Sequence, residues 1–247
     1  MGSETLSRAA ELIASRPSPN RGVRRGGARP DLVVLHYTAM ESAEAALARL
    51  CDPAAEVSAH YVVTERGGLW RLVPEEARAW HAGAGAWGAV LDVNSRSIGI
   101  ELVNPGPLAG LPPFPEPQMA ALEELLDGVM ARWGIPPARV IGHSDMAPGR
   151  KADPGPKFDW RRLALGGRAV FSSREIASAA PDWAAFAAAA GAIGYHAPDP
   201  GGWAAVLDAF RLRFRPWANG PLSGADVGLA RDLAERHPCV DAARLPT

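Results

Sequence analysis

The sequence predicts an α/β domain followed by a small C-terminal domain of helices. Three observations carry this. Leu32-Val33-Val34-Leu35 is a continuous apolar run of the kind found in strands buried on both faces. Ser97-Ile98-Gly99-Ile100-Glu101-Leu102 alternates with period two, and an apolar stripe at helical spacing follows it. Past residue 165 or so the composition turns Ala-rich, and its patterning is helical.

Taken in order, residues 4–15 read as a short helix. Residues 16–30, rich in Arg, Pro and Gly, read as a solvated arm. Residues 32–36 form a buried strand and residues 42–50 a helix. Residues 60–64 and 69–73 are two strands of a hairpin around Arg66-Gly67-Gly68. After the strand 97–102, Met119, Leu122, Leu126, Val129, Met130 and Trp133 define the strongest helix, which stops at Gly134 before Pro136-Pro137. Residues 139–142 are a short strand that delivers His143, and residues 145–158, dense in Pro and Gly, read as irregular. Three helices complete the chain, at 182–190, 203–214 and 223–236. Asp182 and Ser223 are N-cap candidates, and Pro216 and Pro238 are stops. The expected division is a domain at 1–168, with residues 1–30 as its arm, and a helical domain at 175–247.

Composition narrows the function. With 47% hydrophobic residues, and 26 basic against 27 acidic residues for a net charge of -1, the chain of 247 residues reads as an ordinary globular protein. Nothing global draws it to nucleic acid or to an anionic surface. The two cysteines, Cys51 and Cys239, exclude a multi-cysteine metal cluster and read as free thiols. No apolar run approaches the roughly 20 residues that span a bilayer, so membrane insertion is not expected. No apolar signal segment is visible near the start, so a cytoplasmic location is expected, or a periplasmic one if a signal peptide has been removed, with a monomer favoured.

His36 and His143 each follow an apolar strand directly, the usual place for site residues in an α/β sheet. Asp153 lies across a Pro/Gly loop from His143 and can fold back on it. Two imidazoles and a carboxylate would leave one position of a tetrahedral Zn²⁺ open, the pattern of catalytic zinc. Spacing alone does not decide this. A histidine at a strand end is more often a hydrogen-bonded structural residue, and the zinc-protease pattern His-Glu-x-x-His is absent. Gly142-His143-Ser144-Asp145-Met146 also approaches the nucleophile elbow Gly-x-Ser-x-Gly. Met146 replaces its last glycine, however, and a proline loop follows where the elbow needs a helix. Glu101 stands in a strand beside the small same-face residues Ser97 and Gly99, which leave room for a general acid/base carboxylate. Lys151 would sit at the rim, where an ammonium can hold an oxyanion.

Five blocks then read together. They are Val34-Leu35-His36-Tyr37-Thr38, Ser58-Ala59-His60-Tyr61-Val62-Val63, Ala79-Trp80-His81-Ala82-Gly83, Asn94-Ser95-Arg96-Ser97-Ile98-Gly99-Ile100-Glu101, and the run from Gly142-His143-Ser144-Asp145-Met146 through Arg150-Lys151-Ala152-Asp153-Pro154-Gly155. In that order they resemble the zinc-dependent N-acetylmuramoyl-L-alanine amidases of the amidase_2 family, over residues 30–165. The resemblance implies a mixed central β-sheet flanked by helices, and one Zn²⁺ held by His36, His143 and Asp153. It implies Glu101 as general acid/base and Lys151 as stabiliser of the tetrahedral intermediate. His81 would support substrate binding or the transition state, and Tyr37 and Asn94 would line the groove. His60 stays open between core packing and function, while His196 and His237 read as surface residues. The implied substrate is a muropeptide or peptidoglycan. The implied reaction is hydrolysis between the lactyl group of N-acetylmuramic (or 1,6-anhydro-N-acetylmuramic) acid and L-alanine, in cell-wall recycling. Two alternatives stand beside it: a non-catalytic muropeptide-binding protein and an envelope-remodelling amidase of broader specificity.

The tail more weakly resembles a three-helix peptidoglycan-binding domain, through Ile193-Gly194-Tyr195, Ala209-Phe210-Arg211-Leu212-Arg213-Phe214-Arg215-Pro216 and Gly220. Phe210-Arg211 stands where that domain has Phe-Gln, and Asn219-Gly220 where it has Asp-Gly. Glycan binding and a purely structural cap are both open readings.

Overall fold

The structure, a computed structural model, describes residues 13–172, 180–199 and 202–241. Its centre is a mixed six-stranded sheet in the order β1-β5-β4-β7-β3-β8. The strands are β1 (Ile13–Ser15), β3 (Leu32–Tyr37), β4 (Tyr61–Val63), β5 (Leu69–Arg71), β7 (Ser97–Leu102) and β8 (Val140–Gly142). The pair β4/β5 is antiparallel, as the hairpin reading requires. The other neighbours, β1/β5, β4/β7, β3/β7 and β3/β8, run parallel.

Two expectations for the N-terminal segment need correction. Most of the helix expected at 4–15 lies outside the described residues, but Ile13–Ser15 is extended, because its backbone pairs with Leu69–Arg71. The arm is also not simply solvated. Strand β2 (Arg21–Val23) pairs antiparallel with β6 (Ala77–Ala79). Arg24 is buried, and its guanidinium donates to the carbonyls of Glu75, Asn94, Ser95 and Ser97. The guanidinium carries five donors in a fixed fork, enough to serve this cluster of carbonyls at once.

The helices follow their sequence signals closely. Helix α1 (Ala43–Cys51) starts at Ser42, whose hydroxyl accepts from the Ala45 N–H. Helix α2 (Val93–Arg96) is a single turn capped by Asp92. Helix α3 (Glu116–Trp133) begins one residue before Pro117, since proline is tolerated in the first turn, and ends at Gly134 in the left-handed conformation at φ 66°. Helix α4 (His143–Met146) is a short turn whose second half overlaps the stretch 145–158 that composition marks as irregular, and α5 (Trp160–Leu165) follows it. The tail holds α6 (Trp183–Ile193), α7 (Trp203–Phe214) and α8 (Gly224–Arg236). Asp182 caps α6 and Ser223 caps α8, Ser223 and Asp226 forming a reciprocal capping box.

Register decides what each sheet face carries. Val33, Leu35, Ile98, Ile100 and Leu102 share one face and bury Met119, Leu122, Leu126 and Val129 of α3. Each such fully buried side chain contributes about 1.5–3 kcal/mol. On the opposite face, Leu32, Val34 and Ile141 pack into one core with Phe186, Val206, Phe210 and Phe214 of the tail helices. Further along that face, Val62 joins Leu72, Val73 and Ala79 under Ala46, Leu47 and Leu50 of α1. Between these two apolar halves runs a lane formed by Ser97, Gly99 and Glu101 of β7 with His36 of β3. The His81 side chain, from a loop, enters the lane beside Gly99.

One resident of this region is His60. It is fully buried, and its Nδ1 accepts from the Gly99 N–H at 2.9 Å. The ring proton therefore sits on Nε2, toward the Ala77 carbonyl at 3.2 Å. Burial and the adjacent Arg24 push its pKa down to about 3. His60 is thus a core brace. An unfolded imidazole takes up a proton near pH ~6.5, and the folded one does so only near its own value. Its contribution to stability is complete above pH ~6.5 and is lost as pH falls toward about 3. Urea titrations at stepped pH should show stability falling across that window. His60→Asn should be less stable at pH 7 and should take up fewer protons on unfolding. An unchanged proton uptake would contradict this account.

Candidate metal centre

Strand pairing assembles the site. His36 occupies the next-to-last position of β3, paired in register with Glu101 of β7. On its other side β3 pairs with β8, Leu35 opposite Gly142, so the following residue, His143, emerges at the level of His36. The loop after α4 returns Asp153, held by a hydrogen bond from the Ser144 N–H to the Asp153 carbonyl at 2.9 Å. His36, His143 and Asp153 are all buried.

Their donor atoms converge. His36 Nδ1 lies 2.9 Å from His143 Nδ1, and each is 3.0 Å from Asp153 Oδ2. The surrounding hydrogen bonds fix which ring nitrogens carry protons. The Ser97 hydroxyl donates to the Val93 carbonyl at 2.6 Å, so its oxygen accepts from His81 Nε2–H at 3.1 Å. His81 Nδ1 then accepts from His36 Nε2–H at 3.0 Å, which leaves His36 Nδ1 bare. His143 Nε2–H donates to the Ala82 carbonyl at 2.9 Å, which leaves His143 Nδ1 bare. Burial, and then the neighbouring His143, push the pKa of His36 down to about 4. Burial and His36 drive that of His81 well below the ordinary range. Both rings are neutral at pH 7. Two bare imidazole nitrogens facing a carboxylate oxygen make a donor set for a divalent cation, with outer partners that hold the rings.

These groups open into a cavity of about 540 Å³, whose wall includes Glu101, Lys151 and Tyr37. Burial, and then Asp153, raise the pKa of Glu101 well above the ordinary carboxylate range. Its Oε2 has no hydrogen-bond partner in the protein. Lys151 is exposed at the cavity rim. Arg49 and Arg150 add positive charge to the same wall. The cavity therefore offers a cation site, a poised carboxyl group and a basic border.

The other expected groove residues divide. Tyr37 lines the cavity. His81 reaches it too, but its ring occupies the space a side chain at Gly99 would take and is engaged with His36 and Ser97. It holds a donor ring in place. Asn94 is not brought to the cavity: it is buried, and its side-chain oxygen accepts from the backbone N–H groups of His81 and Ala82. It braces the loop that presents His81. Ser144 is buried and absent from the cavity wall, so no nucleophile elbow forms. His196 bonds to the Gly88 carbonyl, away from the cavity. Sequence reasoning missed Ser97, whose hydroxyl ends the proton chain. Its position on the Glu101 face, beside Gly99, was the signal.

Residues 26–156 match the family model described as Amidase_2, N-acetylmuramoyl-L-alanine amidase. The N-acetylmuramoyl-L-alanine amidase AmiD of Escherichia coli K12 is 36% identical over 234 residues, 85% of this chain and 84% of its own. A solved complex of that amidase with the substrate anhydro-N-acetylmuramic acid-L-Ala-D-gamma-Glu-L-Lys superposes with a TM-score of 0.77, covering 88% of this chain and 93% of that one. The 1,6-anhydro-N-acetylmuramyl-L-alanine amidase AmpD of Citrobacter freundii is 32% identical over 164 residues, 60% of this chain and 86% of its own. AmpDh3 of Pseudomonas aeruginosa, solved with anhydromuramic pentapeptide, matches at 32% identity and a TM-score of 0.77, covering 89% of this chain and 96% of that one. No helix among the described residues is long and apolar enough to cross a membrane.

The lane makes a testable demand at Gly99. A Cβ there would lie 2.4 Å from His81 Cγ, far inside contact distance, so the ring would have to leave. Gly99→Ala should therefore keep its far-UV circular dichroism yet lose roughly tenfold in metal affinity, the low end for removing an outer partner of a ligand. Chelator competition measures this. Native-like affinity would show that His81 does not hold His36.

Proposed function

Because the chain belongs to the Amidase_2 family of N-acetylmuramoyl-L-alanine amidases, we propose that it hydrolyses the amide between the lactyl group of a muramoyl sugar and the L-alanine of its stem peptide. We take its substrate to be a muropeptide of the 1,6-anhydro type met in cell-wall recycling, and its metal to be a single zinc ion. The observation that carries the reading is the meeting of two bare imidazole nitrogens and a buried carboxylate, beside an unpartnered Glu101.

His36 Nδ1, His143 Nδ1 and Asp153 Oδ2 would hold the zinc. Bound there, it supplies a Lewis acid that polarises the scissile carbonyl and acidifies a water. Glu101 accepts a proton from the attacking water. Its raised pKa suits it to keep that proton and then return it to the departing L-alanine nitrogen as the C–N bond breaks. The products are a muramic carboxylic acid and a free peptide amine, so the proton count closes. Lys151 at the rim stabilises the charge that develops on the carbonyl oxygen. Arg49 and Arg150 on the cavity wall complement an acidic stem peptide, and Tyr37 bounds the same space.

Mass spectrometry of products from an anhydromuramoyl tripeptide and a reducing-end muramoyl tripeptide, with and without a zinc chelator, tests the reaction. Chelator-sensitive cleavage between lactyl and L-Ala is expected, faster on the anhydro form. Equal rates would redirect the reading to envelope remodelling, and no cleavage by zinc-replete protein would favour a binding protein. His143→Ala should lose zinc and turnover together. Glu101→Gln should retain zinc while kcat falls about 10²–10⁴-fold, the usual share of a general acid/base. A near-native rate in Glu101→Gln would remove its assigned role.

A further inference from the structure

We propose that the C-terminal helices position the metal ligand His143, through Arg213 and Tyr195 acting on Asp145; this rests on the zinc reading above. Asp145 lies in α4, the turn that begins with His143, and is fully buried. Its Oδ2 accepts from the Gly142 N–H at 2.8 Å, which closes the turn at the residue just before the ligand. Both carboxylate oxygens are then taken by groups from the tail. Arg213 of α7 donates to Oδ2 at 2.8 Å, and the Tyr195 hydroxyl, just past α6, donates to Oδ1 at 2.5 Å.

Arg213 does more than neutralise Asp145. It donates to the carbonyl of Val140, in the strand that leads into His143, at 3.2 Å, and to the carbonyl of Val170 at 3.1 Å. Its guanidinium lies 4.2 Å from the centre of the Trp160 ring, at the start of α5. One side chain thus grips the strand before His143, the turn that carries it and the helix after the Asp153 loop. Val206, Phe210 and Phe214, from the same helix, sit in the core shared with Val34 and Ile141.

A buried ion pair adds little net stability, because desolvating both charges offsets most of their attraction, and an apolar pair would hold two layers together as well. What the pair supplies here is direction. It fixes the rotation of a four-residue turn that has little cooperativity of its own. A second buried pair gives the contrast. Arg211 and Asp226 meet at 2.6 Å wholly within the tail helices and touch nothing near the ligands.

The experiment compares Tyr195→Phe, Arg213→Met and Arg211→Met in the full chain. Zinc affinity is read by chelator competition, ligand geometry by the d–d bands of the cobalt(II)-loaded protein, and stability by thermal unfolding of the metal-free form. Tyr195→Phe deletes one oxygen and should fold. It should lose roughly tenfold in zinc affinity, in line with outer partners of metal ligands, with shifted cobalt bands. Arg213→Met should lose at least as much. Arg211→Met should lower the melting temperature and leave affinity and spectrum as in the native chain. Native affinity and spectrum in Tyr195→Phe would overturn the proposal, as would an equal loss in Arg211→Met. A native chain that takes up no zinc would overturn the metal reading and this inference with it.

Discussion

Two imidazole nitrogens and a carboxylate oxygen held 2.9–3.0 Å apart, each with a lone pair directed at the others, are the constraint on which the rest of this structure turns. A buried acceptor left without a donor costs about 1–3 kcal/mol, so three facing one another favour loss of the arrangement unless a cation binds among them. The fold keeps the rings from turning away. Each imidazole is fixed from behind by a partner for its other nitrogen, the Ala82 carbonyl for His143 and His81 for His36. The chain of proton donors through His81 ends at Ser97 and the Val93 carbonyl, so the orientation of His36 is settled three groups away from it.

That chain needs space inside a sheet face that is otherwise packed, and the architecture makes it. The tail helices cover one half of the face and α1 the other. The lane between them carries Ser97, Gly99, Glu101 and His36 and admits loop side chains. Ser97 and Gly99 are small enough for the His81 ring to lie over them, and Glu101 follows at the open end of the lane. Burial without a protein hydrogen bond to Oε2, and then the neighbouring Asp153, keep the Glu101 carboxyl group hard to ionise. The metal ligation and proton transfer proposed for this site would therefore share one row of the sheet face.

Much of this was legible in the sequence. The apolar run ending at His36, the alternation around Glu101 and the strand before His143 have local periods that single segments reveal. So do the tail helices, because caps and stops such as Asp182, Ser223, Gly134 and Pro216 act within a turn of the chain. Local reading failed where a distant partner decides. Ile13–Ser15 is a strand because Leu69–Arg71 offers it an edge. Arg24 is buried because four carbonyls from residues 75–97 converge on it. Asn94 faces backbone N–H groups and not the cavity. Arg213 is one of two arginines in the last turn of α7. Only its spacing from Val206 and Phe210, on the core side of the helix, marked it as a buried residue.

The sequence by itself determined the α/β order, the kinds of donor atoms available and the family to which they belong. Those depend on residue identity and on periodicity within a segment. The tertiary structure decided which ring nitrogens are bare, which histidine supports a ligand, and that the tail helices reach the turn beneath His143. Hydrogen-bond direction and side-chain orientation are set by groups that meet only after folding. His36 and His143 stand 107 positions apart, and Asp145 and Arg213 stand 68 apart. No local pattern encodes a contact across such distances, because the pairing of strands and the packing of helices create it.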